Sequence, residues 1–168
     1  VSIDKTFIWR IKMKIAVMSM GLACKTVKSN PKTIDVVSIQ NTNRSYSDYR
    51  TIEQKAKNCH VAKFDDVWLT KHEKRGYKLA TRKQIEDILD WVEGKDELIV
   101  HCKVGKSRSA AVAYLIACKD NDPEVAITIL DKNFHIPNEW VVELGAEILG
   151  NQRVWNVFAK NFPVYGDI

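Results

Sequence analysis

The sequence predicts an α/β domain, and three observations lead there. Short β-branched runs occupy the first half of the chain and helical periodicity occupies much of the second. Between residues 98 and 118 a strand, a polar loop and an apolar helix follow one another directly. The chain has 168 residues, with no internal repeat or low-complexity tract, which suits one domain with a good-sized core.

Taken in order, Ile15–Met18 is the first strand candidate, apolar and bounded by Lys14 and Gly21. Ile34–Ile39 follows Pro31 and reads IDVVSI, a second strand, and Val61–Phe64 is a third. Asn41–Tyr49 is rich in Asn, Ser, Thr and Asp and is predicted as loop. Thr81 and Gln84 form a capping-box pattern. Ile85, Ile88, Leu89 and Val92 continue at helical spacing, and Gly94 is a stop signal. Leu98-Ile99-Val100 lacks alternation, as a central parallel strand does. The helix predicted from Arg108 to Cys118 is apolar nearly all round, so it belongs inside the domain. Asp122-Pro123 places an N-cap before proline, with Val125, Ala126, Ile129 and Leu130 as an apolar face. A further helix is predicted over 138–149, closed by Gly150.

Composition narrows the classes. No apolar run is long enough to span a bilayer. Arg10, Lys12 and Lys14 interrupt the N-terminal apolar residues, unlike a signal peptide, so a cytoplasmic location is expected. Met13 reads as a natural start, with residues 1–12 an upstream extension or cloning remnant and 13–168 the domain. Cys24, Cys59, Cys102 and Cys118 show neither a disulfide framework nor a metal-hook spacing. The net charge of +5 suits an anionic substrate and also nucleic acid, the latter less favoured.

The chemistry is concentrated in Val100-His101-Cys102-Lys103-Val104-Gly105-Lys106-Ser107-Arg108-Ser109. A cysteine ends a strand, where ligand sites of open α/β sheets lie, and an arginine opens a buried helix. The loop from Lys103 to Ser107 can wrap one phosphate with backbone N–H groups, aided by the helix N-terminus. Gly105 permits a backbone conformation that a side chain hinders, and Arg108 grips two phosphate oxygens with its planar fork. The same field favours an anionic Cys102 sulfur, poised for in-line attack. His101 is expected to orient the loop, and Ser109 to donate a hydrogen bond to the departing sulfur. Lys103 and Lys106 read as loop surface that weakly steers anions. Arg108 stands among apolar helix positions and therefore needs an anionic partner.

His101-Cys102-x5-Arg108-Ser109 resembles the signature of the protein tyrosine phosphatase superfamily, and the short chain resembles its compact dual-specificity branch. Val36–Ile39, Phe64-Asp65-Asp66 and Pro137-Asn138 occur in the order seen in small microbial members, so the resemblance runs from about Ile15 to Gly150. It implies a three-layer fold, with a central, mostly parallel sheet flanked by helices and a C-terminal helical portion. It implies a cysteinyl-phosphate mechanism without metal or other cofactor, acting on phosphotyrosine, with phosphoserine and phosphothreonine as further substrates. It also implies an upstream general acid. Asp66, the second residue of the acidic pair, is the first choice and Asp65 the alternative; either taken alone also fits a solvated turn. The expected partner is a phosphorylated protein or another phosphate ester, met by a monomer. RNA 5′ ends, phosphoinositides, and a phosphate-binding module without turnover stand as competing readings.

Overall fold

Four parallel strands form the central sheet of the computed structural model, which describes residues 12–165. They are β1 (Lys14–Ser19), β2 (Asp35–Gln40), β3 (Cys59–Lys63) and β4 (Glu97–Cys102), in the order β1-β4-β2-β3. Among the described residues every strand pairing is parallel, and the register sets Ser19 beside Cys102 and Ser38 beside His101. Most of the predicted extension, residues 1–11, lies outside the described residues.

The alternation of side chains along each strand sorts them into two layers. Val36 and Ile99 face α1 (Met20–Ser29) and α2 (Ser47–Lys55), where Ala23, Val27, Tyr49 and Ile52 fill the space. Val37, Ile39, Leu98 and Val100 face the opposite layer, built on α4 (Arg108–Asp120). Every residue of α4 from Arg108 to Cys118 is buried, as its apolar circumference requires. Around it lie α3 (Arg82–Trp91), the short α5 (Pro123–Ala126), α6 (Glu139–Leu149) and α7 (Gln152–Asn161). The predicted α/β class, parallel sheet and helical C-terminal portion are therefore all present. No helix among the described residues is long and apolar enough to cross a membrane.

Local signals explain the termini. Thr81 Oγ1 accepts from the Gln84 amide at 3.2 Å and Gln84 Oε1 accepts from the Thr81 amide at 3.0 Å, the predicted box. Gln84 Nε2 also donates to the Lys63 carbonyl at 2.8 Å, anchoring α3 to the end of β3. Asn138 Oδ1 caps α6 through the Val141 amide, and Gly150, with φ 60°, ends it in the left-handed region.

Three expectations need correction. The first half is not strands joined by polar loops: α1 and α2 lie there, and Ser47–Tyr49 of the predicted Asn41–Tyr49 loop is helical. Only Tyr49 and Ile52 of α2 are buried, so its apolar stripe is too sparse to stand out, and packing on α1 supplies what propensity does not. The helix after Asp122 lasts four residues and passes into a 3-10 turn at Ile127–Ile129, where β-branched residues crowd the backbone. The third concerns α3, which ends at Trp91, before the expected Gly94 stop.

Candidate active site

The strand-to-helix loop is held from outside by its carbonyls. Lys103 O accepts from the Met20 amide at 3.2 Å, Lys106 O from Ile136 at 2.9 Å and Ser107 O from Asn138 at 3.1 Å. In a trans peptide the N–H points opposite the C=O. The amides of Val104, Ser107 and Arg108 are therefore turned to the inner side of the loop. Gly105 has φ +77°, and a Cβ there would stand 2.5 Å from the Met18 carbonyl carbon. Glycine is required twice at this position, for conformation and for the close approach of β1.

Cys102 Sγ sits inside this turn at 2% exposure. The Gly105 amide donates to it at 3.3 Å, and Ser109 Oγ stands 3.1 Å away. The other thiols are different: burial pushes Cys59 and Cys118 up to about 12 and also raises Cys24, so these are inert packing groups. Ser107 occupies the N-cap position of α4 but makes no side-chain cap bond there. Its Oγ instead donates to Asp66 Oδ1 at 2.7 Å. The first amides of α4 are left for another acceptor, the usual preparation of a helix N-terminus for an anion.

Arg108 is 5% exposed, and its Nη1 donates to the Phe64 carbonyl at 2.9 Å, which fixes the guanidinium plane. Its Nε is buried without a hydrogen-bond partner among the described residues. A buried orphan donor on a guanidinium is costly, and an oxyanion in the loop would satisfy it.

The two acidic candidates part company. Asp65 is buried and accepts from the Thr42 amide (3.1 Å), Thr42 Oγ1 (2.6 Å) and the Lys78 amide (2.8 Å). Burial pushes its carboxyl up, but these hydrogen bonds and Arg108 outweigh that and hold it below the usual carboxylate range. Asp66 is exposed and lines the same cleft as Cys102 and Arg108, steadied by Ser107 and by Asn138 Nδ2 at 3.0 Å. Asn138 also donates to the Val67 carbonyl at 3.1 Å, so one side chain caps α6 and positions the acidic turn. Sequence reasoning used Asn138 only as a helix start; its N-cap position was legible, but its reach to residues 66 and 67 was not.

His101 is fully buried, with Nδ1 3.2 Å from the Cys102 carbonyl and Nε2 2.7 Å from Ser38 Oγ, which in turn accepts from Gln40 Nε2 at 3.1 Å. A carbonyl only accepts, so the proton sits on Nδ1 and the Ser38 hydroxyl donates to Nε2. The ring thus braces the backbone of the cysteine. Burial drives its pKa from 6.5 to about 4. The unfolded chain protonates this ring as pH falls through 6.5, whereas the folded chain does so only near 4. Acid therefore favours unfolding across that window, and the stability at stake is roughly 3 kcal/mol. Urea titrations at pH 7, 5.5 and 4 should show this loss, and His101→Asn should shrink it; an equal pH slope in both proteins would refute the linkage. The variant comparison is needed because burial also lowers His60 and His135.

The cleft over Cys102 has a volume of about 240 Å³, with Trp68, Val104, Ile136 and Tyr165 among its apolar walls. Lys106 also lines it, whereas the Lys103 ammonium lies 4.6 Å from the centre of the Tyr46 ring.

The parallel sheet between helical layers is a fold shared with solved phosphatase structures. Among solved structures, the chain is similar to the PTP-2 phosphatase of Cydia pomonella, with 18% identity over 80% of this chain and 85% of that one and a TM-score of 0.56. It is also similar to Tk-PTP in its active form, with 15% identity over 84% of this chain and 95% of that one and a TM-score of 0.56. PTPMT1 in complex with PI(5)P matches at 15% identity over 90% of this chain and 96% of that one, with a TM-score of 0.52. No family model matches the sequence, and no curated protein matches it. The shared feature is therefore the fold.

Proposed function

We propose that this chain is a cysteine-dependent phosphatase that hydrolyses phosphate monoesters, phosphotyrosine foremost, through a cysteinyl-phosphate. One observation carries the reading: Cys102 Sγ, the buried guanidinium of Arg108 with its unpartnered Nε, and the exposed carboxyl of Asp66 converge on one cleft. The apolar walls at Trp68, Val104, Ile136 and Tyr165 support an aryl ester, because they would flank its ring.

In the first step the Cys102 thiolate attacks phosphorus and the P–O bond to the leaving group breaks. Inward amides and Arg108 hold the three remaining oxygens, stabilising charge where it develops. Protonated Asp66 delivers its proton to the leaving oxygen. In the second step the Asp66 carboxylate takes a proton from water, the resulting hydroxide attacks phosphorus, and the S–P bond breaks. The Ser109 hydroxyl donates to the departing sulfur. Asp65 suits neither proton transfer, since its oxygens are engaged and its ionised form is favoured.

The test is phosphotyrosine hydrolysis with chelator present. Asp66→Asn is expected to lower kcat by about 10²–10³-fold with little change in melting temperature. Asp65→Asn is expected to act the other way: a clear loss of thermal stability, because Thr42 and Lys78 lose charge-assisted partners, and less than about tenfold loss of kcat. A crippled but fully stable Asp65→Asn enzyme would overturn the assignment. So would a requirement for added metal.

A further inference from the structure

A second, larger cleft of about 640 Å³ adjoins the first, sharing Asp66, Trp68 and Arg108 as its wall. Its far side carries Arg44, Tyr46 and Arg75. Arg44 and Arg75 are exposed, and neither forms an ion pair with the described residues. Arg44 Nη1 donates only a long bond, 3.4 Å, to the Tyr46 hydroxyl. The acidic residues lining the cleft are Asp65 and Asp66. Both oxygens of Asp65 are taken by Thr42 and Lys78, and Asp66 Oδ1 by Ser107 and Asn138. The Lys103 ammonium lies 4.6 Å from the centre of the Tyr46 ring. The Tyr46 phenol accordingly lies below its ordinary value, through the Arg44 hydrogen bond first and then through the charges of Arg44, Lys103 and Arg108.

Guanidinium groups that line one cleft repel each other less when an anion lies between them, and low-dielectric cleft walls focus their field. We infer that this cleft is a second anion subsite, which accepts another phosphate of the substrate while Cys102 attacks the first. The preferred substrates are then esters carrying two neighbouring phosphates. The inference rests on the phosphatase reading of the Cys102 loop. It goes further by naming Arg44 and Arg75, neither of which belongs to that loop.

Calorimetric binding to the Cys102→Ser protein, at fixed ionic strength, tests it with two inorganic probes. Tripolyphosphate is expected to bind at least about tenfold tighter than orthophosphate, since it spans both subsites. The double variant Arg44→Ala/Arg75→Ala, made in the same background, should bring that ratio close to one. Lys25→Ala/Lys28→Ala on α1 removes the same charge elsewhere and should keep the ratio. Equal affinities in the parent, or an equal fall in both double variants, would overturn the subsite while leaving the phosphatase reading intact. Failure of either probe to bind, together with no aryl phosphate hydrolysis by the unmodified chain, would defeat the phosphatase reading and this inference with it. For turnover, the unmodified chain should prefer an aryl bisphosphate to the matching monophosphate by a similar factor in kcat/KM, and the arginine double variant should lose that preference.

Discussion

Replacing Cys102 with serine is expected to lower phosphotyrosine turnover by more than about 10⁴-fold while leaving orthophosphate binding and the melting temperature nearly unchanged. In the proposed mechanism the sulfur is the attacking atom: the Gly105 amide donates to it, Ser109 Oγ stands 3.1 Å away, and Cys102 is 2% exposed. A serine oxygen occupies almost the same space, so the cradle and its packing survive. What disappears is the polarisable, strongly nucleophilic sulfur, because a serine hydroxyl is a far weaker nucleophile. Single-turnover kinetics and a calorimetric phosphate titration on the same sample separate the two effects. Retention of rate by Cys102→Ser would end the covalent mechanism, whatever the fold.

Arg108→Lys should cost about 10³-fold in kcat/KM, even though the charge is kept. The fork of Arg108 is held by the Phe64 carbonyl at one nitrogen, and its Nε has no partner among the described residues. Two parallel charge-assisted bonds to a trigonal array of oxygens are worth roughly 4 kcal/mol, and lysine offers a point charge that reproduces neither their direction nor their number. That energy corresponds to about three decades in rate if it is expressed in the transition state. Binding of vanadate, which imitates the five-coordinate phosphorus, should weaken by a similar factor, while orthophosphate affinity falls less. Equal weakening of both anions would mean that Arg108 binds the ground state only, and the clamp role would be wrong.

Helices α3 and α6 and the β4-loop-α4 unit were legible because their signals are local, whereas α7 was not predicted. A strand without alternation, a glycine-containing loop and an all-apolar helix occupy consecutive residues, so no distant contact is needed to recognise them. The helices α1 and α2 were missed for opposite reasons. In α1, Met20, Ala23, Cys24 and Val27 do fall at helical spacing, and Ser19 Oγ accepts from the Leu22 amide at 3.2 Å. That signal was present but adjoined a strand without a break. In α2, two buried residues in a polar segment carry almost no periodic signal, and the helix depends on neighbours to exist.

By itself, the sequence determined the contents of the cradle: Cys102, Gly105, Arg108 and Ser109 lie in one short segment whose two ends are a strand and a helix, so the backbone between them has little freedom. Only the tertiary structure decided what surrounds it. Which of two adjacent carboxyls faces the cleft depends on Thr42 and Lys78 seizing Asp65 while Asn138 and Ser107 steady Asp66. The bracing of His101 by Ser38 and Gln40, and the approach of Arg44 and Arg75 to the rim, have the same origin. Hydrogen bonds and fields of this kind act through space between segments far apart in the chain, and local patterning does not encode the direction in which a side chain meets a partner brought to it by the fold.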